Sequence, residues 1–306
     1  ADPNIIFVGT GSDGIRSNVI VGKGIYKSID AGVSWEFVGL KNTGQIGAVK
    51  INPNNHNIVY AAAIGQPFSP NSERGLFKTT DGGKTWKKIL FISDKIGIVD
   101  IEFSPDNPDI IYAASWEVNR KPWTIVSGSK EGGIYKSIDA GKSWIKLSEG
   151  LPKGNIGKID LAVTPSDPQR LYALMEADQG QGGIYVSYNK GSQFKVKSHR
   201  KELVNRPFYY CNIYAHPNNA GIIYSNANKF MVSKDAGESW DIKGTPHGDN
   251  HDIWINPIND NIWIQSNDGG ANVTLNSGKT WTTQFNQPTA EIYQVEVDNQ
   301  YPYWLY

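Results

Sequence analysis

Residues 24–35 read GIYKSIDAGVSW, and residues 133–144 read GIYKSIDAGKSW. The two stretches differ only at Val33 and Lys142. Their common frame, Ser/Thr-x-Asp-x-Gly-x-Ser/Thr-Trp, recurs at Thr79–Trp86 and Ser233–Trp240. Two worn copies follow the same frame. Ser187–Phe194 has Asn189 for Asp and Phe194 for Trp, and Thr274–Trp281 has Asn276 for Asp. The third positions fall at residues 30, 81, 139, 189, 235 and 276, a period near 50. A repeat of that length fits one four-stranded blade of a β-propeller.

Working outward, a second motif alternates with the first. Ile46–Ile51, Ile98–Phe103 and Ile159–Val163 alternate apolar and polar residues, and each runs into an Asn/Asp/Pro turn and a second apolar strand. Strict alternation marks strands, and the Pro/Asn/Asp clusters mark the turns between them. Each unit therefore reads as strand A, a short turn, strand B, a variable loop, strand C, the conserved-frame turn and strand D. No stretch shows a helical period.

The expected fold is all-β: a β-propeller of four-stranded antiparallel blades spanning 1–306 as a single domain. Six complete frames plus a partial unit at Ile292–Tyr306 predict about seven blades, or a fragment of a larger propeller. Ile5–Val8 reads as a strand B lacking its strand A, so the chain is expected to be part of a longer one with a processed or incomplete N-terminus.

Bulk composition agrees. Glycine (32), proline (16), tyrosine (15) and tryptophan (10) suit short strands and tight turns, and 306 residues are enough to bury a large core. Thirty basic and thirty acidic residues cancel, which argues against a nucleic-acid partner or an anionic membrane surface. No apolar run approaches the ~18 residues of a bilayer span, and no signal peptide is evident. The one cysteine, Cys211, has no disulfide partner and reads as a small buried residue.

The frame is the Asp-box, or BNR repeat, of sialidases, xyloglucan-active hydrolases and the sortilin-type propeller. The whole chain resembles bacterial BNR-repeat, sortilin (VPS10)-like propeller proteins, of the kind often labelled glycosyl hydrolase. The resemblance rests on residues 73–75 (ERG), 120–123 (RKPW), 205–210 (NRPFYY), 247–252 (HGDNHD), 267–270 (NDGG) and 286–289 (NQPT). It implies one module of a larger bacterial product that is secreted or displayed at the cell surface. The label itself carries no chemistry, because fold does not give function.

The box aspartates read as structural. An Asx-type carboxylate accepts backbone N–H bonds inside the turn, and the amides of Asn189 and Asn276 do the same, whereas a catalytic acid tolerates no such replacement. Asp30, Asp81, Asp139 and Asp235 are therefore excluded from any active site.

Blade topology places the B–C loops and the D–A links on one face, opposite the short A–B turns and the boxes. The unusual polar residues cluster in those loops, where binding usually resides. Candidate ligand-binding residues are Arg16, Arg74, Arg120, Trp123, Arg206, Tyr209, His247, His251 and Gln287; Asp13, Glu117, Asn205, Thr289 and Glu291 lie nearby in sequence. Candidate catalytic acids are Glu73, Asp249 and Asp268. His247, Asp249 and His251 alternate, so in an extended chain they share one side and suit a transition metal or an acid–base pair. No distant fourth ligand accompanies them, and no cofactor is called for.

Three functions compete. The preferred one is an extracytoplasmic module that binds a glycan, a peptide or a protein partner through the loop face, with Trp116, Trp123, Tyr209 and Tyr210 offering stacking surface. The second is a glycoside hydrolase other than a sialidase, which needs two carboxylates across a cleft. The third is a structural component of a cell-surface assembly, in contact with further domains of the same chain.

Overall fold

The computed structural model describes residues 2–285 and 296–304. Each repeat unit forms one antiparallel sheet, and six sheets follow one another along the chain. The first contains β1 (Ile6–Gly9), β2 (Ile25–Ser28) and β3 (Glu36–Gly39). The second contains β4 (Gln45–Ile51), β5 (Val59–Gly65), β6 (Gly75–Thr79) and β7 (Lys87–Leu90). The third runs through β8 (Ile96–Ser104), β9 (Asn107–Lys121), β10 (Thr124–Ser127), β11 (Gly133–Ser137) and β12 (Ile145–Leu147). The fourth has β13 (Ile156–Val163), β14 (Leu171–Ala177), β15 (Gly183–Ser187) and β16 (Phe194–Ser198). The fifth has β17 (Asn212–Ala215), β18 (Ile223–Asn226), β19 (Phe230–Ser233) and β20 (Asp241–Lys243). The sixth has β21 (Asn250–Ile255), β22 (Trp263–Asn267) and β23 (Gly270–Thr274).

The count is six blades of three to five strands among the described residues, not seven uniform ones of four. Each frame yields one sheet. Of the extra partial unit expected at Ile292–Tyr306, residues 292–295, 305 and 306 lie outside the described residues. Within 296–304 the chain turns, with the Asp298 amide donating to the Trp304 carbonyl (3.3 Å). Blade three departs from the pattern because β9 runs fifteen residues and pairs with β10 beyond the blade proper.

The second strands are the core. Val59–Gly65 is buried at every residue, as are Leu171–Met175 and Ile223–Asn226. Burial of that kind follows from packing each sheet between two neighbours, so both faces of a middle strand are covered. Neighbouring inner strands approach closely: a Cβ on Gly97 would lie 2.2 Å from the Ile64 carbonyl oxygen. Only glycine fits there.

The repeated turns share one bonding pattern. The Ser28 hydroxyl donates to Asp30 Oδ1 (2.7 Å) and accepts from the Gly32 amide (2.8 Å). Asp30 then accepts from the Ser34 amide (2.9 Å) and hydroxyl (2.6 Å). Asn189 and Asn276 take the corresponding amide bonds from Gln193 and Thr280, each at 2.9 Å. These bonds hold the carboxyls of Asp30, Asp81 and Asp235 at about 2, the largest effect being the hydroxyl of Ser34, Thr85 or Ser239. The residue before the glycine also sits in the left-handed region, as at Ala31 (φ 58°), Ala140 (φ 58°) and Ala236 (φ 60°).

Blades are latched to one another in series. Lys27 Nζ donates to the Gly82 carbonyl (3.1 Å), Lys78 to Ala140 (2.9 Å) and Lys136 to Lys190 (2.7 Å). Trp86 Nε1 reaches back to the Val38 carbonyl (2.7 Å), and Trp144 Nε1 to Ile89 (3.1 Å). On the inner strands, Asp100 accepts from the Leu161 amide (2.8 Å) and Asp160 from the Ile213 amide (2.7 Å). Cys211 is fully buried, and burial pushes its thiol up.

Candidate functional site

The loop between β1 and β2 leaves its own blade and reaches the segment that leads into blade five. Ile15 is fully buried in one cluster with Ile64, Trp116 and Ile156 of blades two to four. Its amide donates to the Phe208 carbonyl (2.8 Å), just before blade five. Asp13 lies 3.8 Å from the ammonium of Lys158, which is buried on β13. Apolar anchorage of Ile15 thus fixes where the next residue, Arg16, must sit.

Arg16 meets a polar cluster contributed by blades five and six. Its Nη1 donates to the Tyr209 hydroxyl (3.0 Å), and its guanidinium lies 4.5 Å from that ring's centre. The Tyr209 hydroxyl donates to Asp268 Oδ1 (2.7 Å), and His251 Nε2 contacts the same oxygen at 2.7 Å. The Tyr209 and His251 rings meet edge-on at 4.9 Å. Asp268 immediately follows β22, and its amide donates to the Asp249 carbonyl (3.1 Å). A single carboxylate oxygen therefore gathers a phenol and an imidazole, while the phenol also receives a guanidinium.

These contacts set the protonation states. Burial raises the Asp268 carboxyl, but the bonds from His251 and Tyr209 outweigh it and hold the group below its ordinary range. Burial, then the bond to Asp268, pushes the Tyr209 phenol up to about 12. At neutral pH the cluster holds an ionised carboxylate and a neutral phenol. That pairing grips polar ligands; it supplies neither a protonated acid nor a phenolate nucleophile.

Beside it stands a second group. Arg206 Nη1 lies 3.7 Å from Asp249 Oδ2, and Asn228 Nδ2 donates to Asp249 Oδ1 (2.7 Å). The guanidinium of Arg206 sits 5.5 Å from the Tyr209 ring centre and 5.7 Å from that of Tyr210. Burial raises the Tyr210 phenol.

Of the residues singled out from sequence, Arg16, Arg206, Tyr209, Asp249, His251 and Asp268 come together. Others do not join them. Arg74 is 1% exposed, and its guanidinium is spent on the carbonyls of Ile64, Gln66 and Val118 at 2.9–3.1 Å. It pins the β5–β6 loop to blade three and is buried away from the cluster, so the expectation that it binds ligand finds no exposed guanidinium here. Glu73 precedes it and has no contact with the cluster. Arg120 and Trp123 lie at the far end of the β9–β10 hairpin, with Trp123 81% exposed. Gln287 lies outside the described residues.

His247, Asp249 and His251 do not share one side. Asp249 has a φ of 52°, and the β21–β22 register shifts between Asn250 and Asp252, so alternation fails across the run. The His247 ring contacts the Gly248 carbonyl, Asp249 faces Arg206 and Asn228, and His251 faces Asp268. Among the described residues no three His, Cys, Asp or Glu side chains are grouped to hold a metal ion.

Two features escaped sequence reading. Asn228 belongs to the cluster but sits in an ordinary turn. A band of charge lines the inner strands: Lys50 pairs with Glu102 at 2.8 Å, near Asp100, Asp160 and Asp252. Burial lifts all four carboxyls, Glu102 to about 7. A signal existed. Asp100, Asp160, Asn212 and Asp252 each stand five residues before the proline of the A–B turn, where blade two has Ala48.

The family model for sortilin, neurotensin receptor 3, matches residues 23–160. Over those residues the chain is similar to the sortilin propeller, and its six sheets make it a β-propeller. A probable oligoxyloglucan-reducing end-specific xyloglucanase of Neosartorya fischeri is 26% identical over 206 residues, covering 61% of the chain but 22% of that protein. A xyloglucanase of Paenibacillus sp is 24% identical over 186 residues, covering 55% of the chain and 16% of its own length. The propeller thus spans about a fifth of these curated relatives. The crystal structure of an ancestral GH74 enzyme superposes with a TM-score of 0.63 at 19% identity, covering 92% of the propeller and 37% of that chain. YCF48 bound to D1 peptide gives 0.56 at 16% identity, covering 96% and 89%. At these identities the structural likenesses establish the fold alone. No helix among the described residues is long and apolar enough to cross a membrane.

Proposed function

We propose that this propeller is a glycan-binding module of a longer extracytoplasmic protein, and that Arg16, Tyr209, His251 and Asp268 form its saccharide grip. The observation that supports this most is the convergence of loops from blades one, five and six on one carboxylate oxygen. Tyr209 and His251 offer ring faces and edges for a sugar to pack on. The second oxygen of Asp268 and the free guanidinium edge of Arg16 offer an acceptor and donors for hydroxyls. The xyloglucan-active relatives favour a neutral β-linked polysaccharide as the ligand, and the repeated turns serve only as blade joints.

Hydrolysis is the second reading, favoured by the names of those relatives. It needs a proton-carrying acid opposite a carboxylate. In the cluster Asp268 is held ionised, and the acids with raised pKa bond to backbone amides or to Lys50 on the inner strands. Binding is therefore the primary reading. Calorimetric titration of xyloglucan oligosaccharides tests it, with cellooligosaccharides for comparison and product analysis after prolonged incubation. Saturable binding without new reducing ends is expected. No binding of either series would overturn the grip, and steady release of reducing ends would favour the hydrolase.

A further inference from the structure

Second strands in the middle blades are covered on both faces, whereas those of the end blades are covered on one. In blades two to five, Tyr60, Tyr112, Tyr172 and Tyr224 hold one place in the repeat, opposite the residue three before the proline of the A–B turn. None is more than 2% exposed, and the following blade covers each one. Tyr60 donates to the Ala140 carbonyl (3.1 Å), Tyr112 to Lys190 (3.3 Å) and Tyr172 to Ala220 (2.7 Å), while the Tyr224 ring meets that of Trp263 edge-on at 5.2 Å. Ile264 holds the same place in blade six and is 45% exposed. Its cross-strand partner Trp254 on β21 is 47% exposed, and its partner Val273 on β23 is half-buried. An end face of a repeat array is normally polar, and this stripe is apolar.

Blade one shows the complementary gap. The next place along the second strand faces the preceding blade, as Ala61 packs in one cluster with Phe7 and Ala113 in one with Tyr60. Ala61, Ala113, Ala173, Ser225 and Gln265 are fully buried there, but Val8 of blade one is 40% exposed. Beside Val8 lie Tyr26 and the exposed Phe37, whose rings meet edge-on at 5.6 Å. The inner strands carry a second sign. Asp100 and Asp160 each accept an amide from the inner strand of the following blade, that of Leu161 (2.8 Å) and of Ile213 (2.7 Å). Asp252 holds their place in blade six, and among the described residues it accepts only the amide of its own neighbour Ile253 (2.8 Å).

We infer that the Trp254–Ile264–Val273 stripe is a docking site for one further antiparallel β-sheet, supplied by the rest of a longer polypeptide. The stripe continues, place for place, a surface that a sheet covers at every other joint of the chain. The incoming inner strand brings a backbone amide to Asp252, and its small second-strand residues cover Trp254 and Ile264 as Ala113 covers Tyr60. The opposite face of the same sheet covers Val8, Tyr26 and Phe37 of blade one. Burial of these side chains supplies the attraction, and the Asp252 bond sets the register. The inference rests on the reading of the chain as part of a longer protein and not on sugar binding.

The test is thiol labelling of Ile264→Cys, since the one native cysteine, Cys211, is fully buried. A maleimide is applied to the 306-residue chain and to a lengthened chain in which a second copy of residues 45–90, the whole of blade two, follows residue 306. Rapid labelling is expected in the first, and labelling about tenfold slower in the second. Should the lengthened chain fail to fold, Trp254→Lys in the 306-residue chain replaces it: an unchanged melting temperature is expected, and a fall of about 5 °C would show the stripe to be covered already and overturn the inference. Slow labelling of the 306-residue chain, or protection that fades on dilution and so marks a second copy, would overturn it as well. Equal labelling of the two chains would do the same while leaving the glycan grip standing, because no sugar enters the measurement.

Discussion

At the scale of single residues, function and structure divide by how much of a side chain's bonding is already spent. Arg74 and Arg16 look alike in sequence, both in long loops beside irregular polar runs. Arg74 has given its guanidinium to three carbonyls, whereas Arg16 has used one nitrogen on Tyr209. Burial holds the Arg74 guanidinium down at about 10. Replacing Arg74 by Met orphans three carbonyls and is expected to cost roughly 3 kcal/mol, seen as a lower urea midpoint at unchanged slope. Ala140 illustrates the opposite case. Its φ of 58° disfavours any side chain with a Cβ. Ala140→Gly is expected to raise stability by about 0.5 kcal/mol, the relief of left-handed strain exceeding the added unfolded-state entropy. Thermal or urea unfolding reads this directly, and a loss of stability would show the turn geometry to be different.

At the scale of elements, the repeated turn carries a pH signature. The carboxyls of Asp30, Asp81 and Asp235 titrate at about 2 in the folded chain against an ordinary value of 3.8. A depressed acid contributes stability that is complete above the unfolded value and disappears as pH falls through the folded one. The propeller should therefore lose stability between about pH 4 and pH 2. Asp81→Asn keeps the amide-accepting oxygen, as Asn189 and Asn276 do, and should flatten part of that loss. A pH series of thermal melts checks the slope, and an unchanged slope in Asp81→Asn would place the acid sensitivity elsewhere. The same turn explains what was legible in the sequence. Its bonds are local, spanning four residues, so the frame is visible wherever it occurs. The antiparallel sheets and their order follow from that frame and from alternation, whereas the expected number, about seven, exceeded the six sheets of the described residues.

At the scale of the whole molecule, less was legible. The site joins residue 16 to residue 209 and residue 209 to residue 268, and no local pattern encodes those distances. Loop-face bookkeeping did bring Arg16, Arg206, Tyr209, Asp249, His251 and Asp268 forward. It also brought Arg74, Arg120, Trp123 and His247, because burial, hairpin extension and a left-handed residue at Asp249 leave no mark in spacing. Net neutrality concealed the charged band on the inner strands, whose members cancel only in the sum over the chain. The extracytoplasmic setting and the longer parent chain remain parts of the proposal and bear on where the glycan is met.

The central claim is that side chains from blades one, five and six act as one ligand-gripping unit. A double-mutant cycle measures it most directly, with Tyr209→Phe, Asp268→Asn and the double variant titrated against xyloglucan oligosaccharides. Because their 2.7 Å bond makes the two residues a single unit, the double variant should bind about as weakly as either single one, with a coupling of about 1–2 kcal/mol. Two losses that simply add, or no loss in either variant, would contradict the account.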